Sequence, residues 1–171
     1  MSDLYEQVTA DQDPLRRLAG KIPGFSGYIE RENRRAADKL LRESIANQFE
    51  QVWKKIGFLQ KDLTTKQELE FVDDLEGAAM KVRTFIDKVR TASYGNSGFF
   101  DAIKINEEEL TKLYEFDLAL IQKAEELSRA ADNVEASVGT NGMPAAVRNL
   151  ISLSRELVSA FAKRGEVITA V

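Results

Sequence analysis

From residue 37 onward the apolar side chains of this sequence recur in steps of three and four. Ala37, Leu41, Ile45, Phe49, Val52, Ile56, Leu59 and Leu63 fall on one face of an α-helix, because a 3.6-residue turn returns such positions to the same side. Ile29 extends this stripe backward, and Leu40, Trp53 and Phe58 widen it. Gly57 weakens the pattern by roughly 1 kcal/mol relative to alanine and could mark a bend, but the stripe keeps its phase across it. The helix is therefore carried to about Asp62.

Thr64 or Thr65 with Glu68 has the form of a capping pair and predicts the start of a third helix. Its seam is Leu69, Val72, Leu75 or Glu76, Ala79, Val82, Ile86 and Val89, and it ends near Ser93. The cluster Tyr94-Gly-Asn-Ser-Gly98 is the strongest breaker in the chain, and Phe99-Phe100-Asp-Ala-Ile-Lys-Ile105 reads as a connector whose phenylalanines plug one end of the structure. Asn106 and three glutamates, Glu107 to Glu109, then cap a fourth helix and place negative charge against its positive end.

That fourth helix has the most regular seam: Leu110, Leu113, Asp117, Leu120, Ala124, Leu127, Ala131, Val134 and Val138. Asp117 is its one discordant residue. With Phe116 and Leu118 on either side, a small rotation would turn the carboxylate outward; left on the seam, it becomes a buried partner for an arginine or tyrosine, fixing helix register at some cost in stability. Gly139-Thr-Asn-Gly142 closes the helix. Met143-Pro144 opens a last, shorter one with Val147, Leu150, Ser154, Leu157 and Phe161 inward, fraying from Gly165.

Upstream, residues 1–12 are polar and acidic and read as a flexible arm. Asp13-Pro14 caps and starts a short helix that runs to about Ala19 and stops at Gly20, ahead of Ile22-Pro23-Gly24. Ser26 or a neighbour then caps the long helix that follows. The expected fold is all-α: an antiparallel four-helix bundle of long amphipathic helices with a short N-terminal helix, with coiled-coil-like packing in a single domain over residues 13–171. Short connections are expected to make consecutive helices neighbours.

Composition narrows the function. The 171 residues are 43% hydrophobic and 30% charged, and no apolar run approaches the roughly 20 residues of a membrane-spanning helix. With no recognisable secretion signal the chain reads as cytoplasmic. It has no cysteine and no histidine, which removes thiolate chemistry, the usual general base and the commonest metal ligand. Di-metal carboxylate bundles need a Glu-x-x-His pair on each of two helices, and no seam here carries paired inward glutamates. No cofactor is expected. The remaining acids for two-carboxylate catalysis are Glu70, Asp73, Asp74 and Asp117, and adjacent Asp73 and Asp74 point about 100° apart on a helix. No glycine cluster has the form of a phosphate-binding loop, and no small-molecule substrate is evident.

A net charge of −4 hides a basic-aromatic segment, residues 16–42, where Arg16, Arg17, Lys21, Arg31, Arg34, Arg35, Lys39 and Arg42 face only Glu30, Glu32 and Asp38. Phe25, Tyr28, Arg31, Arg34, Arg35 and Arg42 are the candidate partner-binding residues, since aromatics beside arginine are what interface hot spots are made of. The competing role for Phe25 and Tyr28 is to staple the short first helix onto the bundle. A pI near 5.1 argues against nucleic acid. The leading expectation is a non-catalytic adaptor or structural protein that binds another protein or a second copy of itself. The alternative is an anionic membrane surface held by segment 16–42, with Phe25 and Tyr28 as wedges; a carboxylate-based enzyme comes third.

Overall fold

The structure, a computed structural model, describes residues 13–30, 34–92 and 107–169. The chain is all-α, with no strand among the described residues. Its helices are α1 (Pro14–Lys21), α2 (Phe25–Glu30), α3 (Arg34–Thr65), α4 (Val72–Thr91), α5 (Glu107–Ser137) and α6 (Met143–Thr169), with a 3₁₀ turn at Leu69–Phe71 before α4. The acidic stretch 1–12, the breaker around Gly95, Phe99, Phe100 and the Asn106 cap lie outside the described residues.

The start of α1 follows from its sequence: the Asp13 carboxylate accepts from the Leu15 N–H at 3.1 Å, and Pro14 occupies the first turn, where no amide is needed. Gly24, at φ +83°, turns the chain sharply into α2, so the corner makes two short helices rather than one helix and a cap. The eight seam residues of α3 from Ala37 to Leu63 are all buried. Phe58 departs from expectation: it is 73% exposed. The Thr64–Glu68 capping pair is not used, because both threonine hydroxyls turn back to the Gln60 and Lys61 carbonyls. Instead Gln67, at φ +61°, lets Glu68 N–H reach the Leu63 carbonyl and Gln67 N–H reach Thr64, ending α3 without a glycine. The 3₁₀ turn takes Leu69 off the α4 seam and leaves it exposed.

Gln60 of α3 meets Glu76 of α4 while Arg90 of α4 reaches Asn47 and Glu50, so these helices run antiparallel. Lys123 with Glu156, and Asp117 with Arg164, make α5 and α6 antiparallel as well. Lys55 joins Ser128 and Asp132 further along the same direction, so α3 and α5 run parallel. Helix α3 packs on α4 and α5, and α6 packs on the same two; α1 lies on α5, and α2 on α3. Consecutive helices α4 and α5 are thus not main packing partners, because the stretch between Thr91 and Glu107 is long enough to cross the end of the structure. Phe85 of α4 sits between Phe49 of α3 and Phe161 of α6, with ring centroids 4.5 and 6.2 Å away.

Helix α6 is longer than its sequence suggests, 27 residues against 20 in α4, and Gly165 does not end it. The residue before that glycine, Arg164, is buried and tied to α3 and α5, which holds this part of α6 in place. Gly57 lies inside α3 without ending it, and a methyl group there would meet nothing within 4 Å. Gly57→Ala is therefore expected to stabilise the protein by about 0.5–1 kcal/mol, read as a higher urea midpoint with an unchanged slope.

Candidate functional site

The basic-aromatic corner does not form one exposed face. Phe25 is fully buried, edge-on to the Tyr114 ring of α5 at 5.6 Å and 84°, so it anchors α2 and is unavailable as a hot spot or membrane wedge. Burial follows from the turn at Gly24, which aims Phe25 inward between Leu18, Ile22 and α5. Tyr28 remains partly open, at 36%. Arg35 is exposed and Arg34 half-buried, while Arg31 lies outside the described residues. Arg42 is largely withdrawn from the surface.

Its place is a buried ionic chain that joins all four long helices. Arg42 Nε donates to Asp38 Oδ2 at 2.8 Å, and its Nη1 donates to the Val89 carbonyl of α4 at 3.2 Å. Arg164 Nε donates to Asp117 Oδ1 at 2.7 Å; its Nη2 donates to Asp117 Oδ2 at 3.0 Å and to Asp38 Oδ1 at 2.6 Å. Two arginines and two aspartates make the chain neutral, and the paired fork of Arg164 on Asp117 is the strong geometry for such contacts. Asp117 sits fully inside, on the seam rather than rotated outward. Burial pushes its carboxyl above the ordinary aspartate range while the Arg164 guanidinium pulls it back. The Tyr114 hydroxyl is raised as well, first by burial and then by Asp38 and Asp117, and has no hydrogen-bond partner among the described residues.

A raised, inward acid is what an enzyme reading of Asp117 needs, but catalysis also needs the acid to face a substrate. Both oxygens of Asp117 are held by Arg164, and Asp117 lines neither of two surface clefts described here, between α3 and α4 and between α5 and α6. The cluster ties α3, α4, α5 and α6 to one another. Asp38, Arg42 and Arg164 escape a reading of the sequence, since Asp38 and Arg42 look like an ordinary surface pair one turn apart and Arg164 like a charge near a frayed end.

The larger of those clefts, about 580 Å³, runs between α3 and α4. Trp53, Gly57, Phe58, Ala79 and Met80 make its apolar part, and Lys54, Lys61, Arg83 and Glu76 stand around it. Phe58 and Met80, 73% and 62% exposed, project beside it. The antiparallel pairing of α3 and α4 puts these residues together: their inward seams meet Phe85 and Phe49, which leaves the flanking apolar residues uncovered on the outer side. The Arg83 guanidinium lies 5.3 Å from the Trp53 ring and 3.4 Å from Asp87, holding the indole in place at the rim. The sequence signal for the cleft was present in Trp53 and Phe58, which broaden the α3 stripe beyond what one neighbouring helix covers.

No family model matches the chain, and no curated protein or solved structure is significantly similar to it.

Proposed function

We propose that the four long helices form a four-helix bundle in which α3 and α6 lie diagonally opposite, as do α4 and α5, and that this bundle is a non-catalytic adaptor acting through protein–protein interaction. The observation that carries the functional reading is the α3–α4 cleft, where a phenylalanine and a methionine stand open to solvent beside a half-buried tryptophan while the interior ionic groups are committed to one another. Exposed large apolar groups gathered at one place are costly to leave in water and mark interaction surfaces. Aromatic residues and arginine together are the usual anchors of such contacts. What supports a surface on α3 and α4 over one at the basic-aromatic corner is that Phe25 and Arg42 of the corner are buried.

A photo-crosslinking amino acid at position 58 in the native cells tests the reading. The expected result is a discrete adduct with another protein that does not form when the same group is placed at Asn133, on the exposed side of α5. Absence of any adduct from position 58, or equal adducts from both positions, refutes it. A metal or nucleotide recovered with the purified protein in stoichiometric amount would also refute it.

A further inference from the structure

We infer that the α3–α4 cleft takes an amphipathic helix of another protein whose apolar stripe is flanked by carboxylates; this rests on the adaptor reading above and names the chemistry of its partner. The occupant is set by charge. Lys54 and Lys61 stand exposed at the cleft on α3 and make no ion pair among the described residues, whereas Arg83 of α4 is already paired with Asp87. Glu76 is the one acid among the described lining residues and accepts from the neutral Gln60 amide at 2.8 Å, so it offsets one positive charge and the two lysines leave the lining net positive. An apolar strip bordered by cations, on a chain whose net charge is −4, selects for a partner with acids beside its apolar face.

Gly57 supplies an independent reason for a helical occupant. Glycine inside an exposed helix is unfavourable, and neither the backbone of α3 nor any intramolecular contact requires it there. Between Trp53 and Phe58 its missing side chain leaves room for a second helix to approach the backbone closely. A second copy using the same face about a twofold axis would bring two faces of equal net positive charge together, so like charges disfavour self-pairing.

Trp53 is the chain's single tryptophan, so its fluorescence reports the cleft directly. The probes are two synthetic 18-residue helical peptides with leucines at positions i, i+3, i+4 and i+7, one flanked by glutamates and the other by lysines. The acidic peptide is expected to shift Trp53 emission and to bind at least about tenfold more tightly than the basic one, with the preference shrinking as salt is raised. Lys54→Glu with Lys61→Glu should reverse the preference, and Phe58→Ser with Met80→Ser should abolish both signals while circular dichroism stays unchanged. Gly57→Leu should weaken the acidic peptide.

Equal binding of the two peptides, unaffected by charge reversal but lost with Phe58→Ser and Met80→Ser, overturns the acidic partner and leaves the adaptor reading standing. Binding that survives Phe58→Ser and Met80→Ser, or no binding of either peptide, overturns this inference, whereas the adaptor reading is judged by the crosslink at position 58. A dimer in sedimentation that dissociates in the Phe58→Ser variant would make the occupant a second copy, which also overturns it.

Discussion

Arg164→Ala is expected to cost about 3–5 kcal/mol, because it removes one member of a buried ionic chain and leaves Asp117 ionised and uncompensated inside the protein. The expected readout is a large fall in urea midpoint, with faster amide exchange toward the end of α6. Lys55→Ala provides the contrast: its pair with Asp132 is partly exposed, and its loss is expected to cost about 0–1 kcal/mol after solvent screening. Arg164→Met combined with Asp117→Leu should cost clearly less than the two single losses added together, since the double change leaves no orphaned charge at that contact.

The loss should also depend on pH with a definite sign. Burial raises the Asp117 carboxyl in the intact protein, and Arg164 is the main group that lowers it, with Asp38 raising it further and Arg42 helping to lower it. Without Arg164 the folded-state value moves further above the unfolded one. A group raised on folding contributes stability that is complete below its unfolded pKa and is lost as pH rises through its folded pKa. The deficit of Arg164→Ala relative to the parent should therefore shrink as pH falls into the carboxylate range. A deficit that stays constant or grows in acid would mean that Asp117 is not the group left exposed to the loss.

What could be read in advance divides along a physical line. The seams of α3 and α5 were legible, since periodicity in steps of three and four records which residues share a helix face; from Ala37 to Leu63 and from Leu113 to Val134 those residues are buried. Periodicity does not record how wide a neighbour covers. Periodicity alone therefore groups Trp53 and Phe58 with the α3 core, yet α4 and α5 leave Phe58 in solvent. Asp117 announced itself as a discord on a regular seam, but Arg164 gave no such signal, because its meaning depends on partners 47 and 126 residues away in sequence. Local chemistry misled where two solutions compete: Thr64 and Thr65 have the makings of a cap for the next helix, but bonding back to their own helix satisfied them first. Phe25 shows the same limit in reverse, since it lies within the basic segment 16–42 while its neighbours in space are apolar.

Phe25→Ala is expected to cost about 3–5 kcal/mol if the whole structure must unfold to lose the contact, since the ring is completely buried. The effect has a ceiling, however. Helices α1 and α2 are short and reach the rest of the chain through α5 and α3, so once the cost exceeds their own docking free energy they detach while the long helices persist. Hydrogen exchange distinguishes the two outcomes, with early exchange confined to α1 and α2 in the second. Tyr28→Ala, at a partly open position, should cost under about 1 kcal/mol. Phe25 also covers Tyr114, whose hydroxyl is raised chiefly by burial and then by Asp38 and Asp117. Water admitted by the alanine removes the largest of those causes, so one of the chain's four tyrosines should titrate closer to the ordinary phenol value in alkaline absorbance. If that titration does not move while α1 and α2 exchange freely, the field of Asp38 and Asp117 rather than burial governs Tyr114, and Phe25 acts as an anchor without shielding the ionic chain behind it.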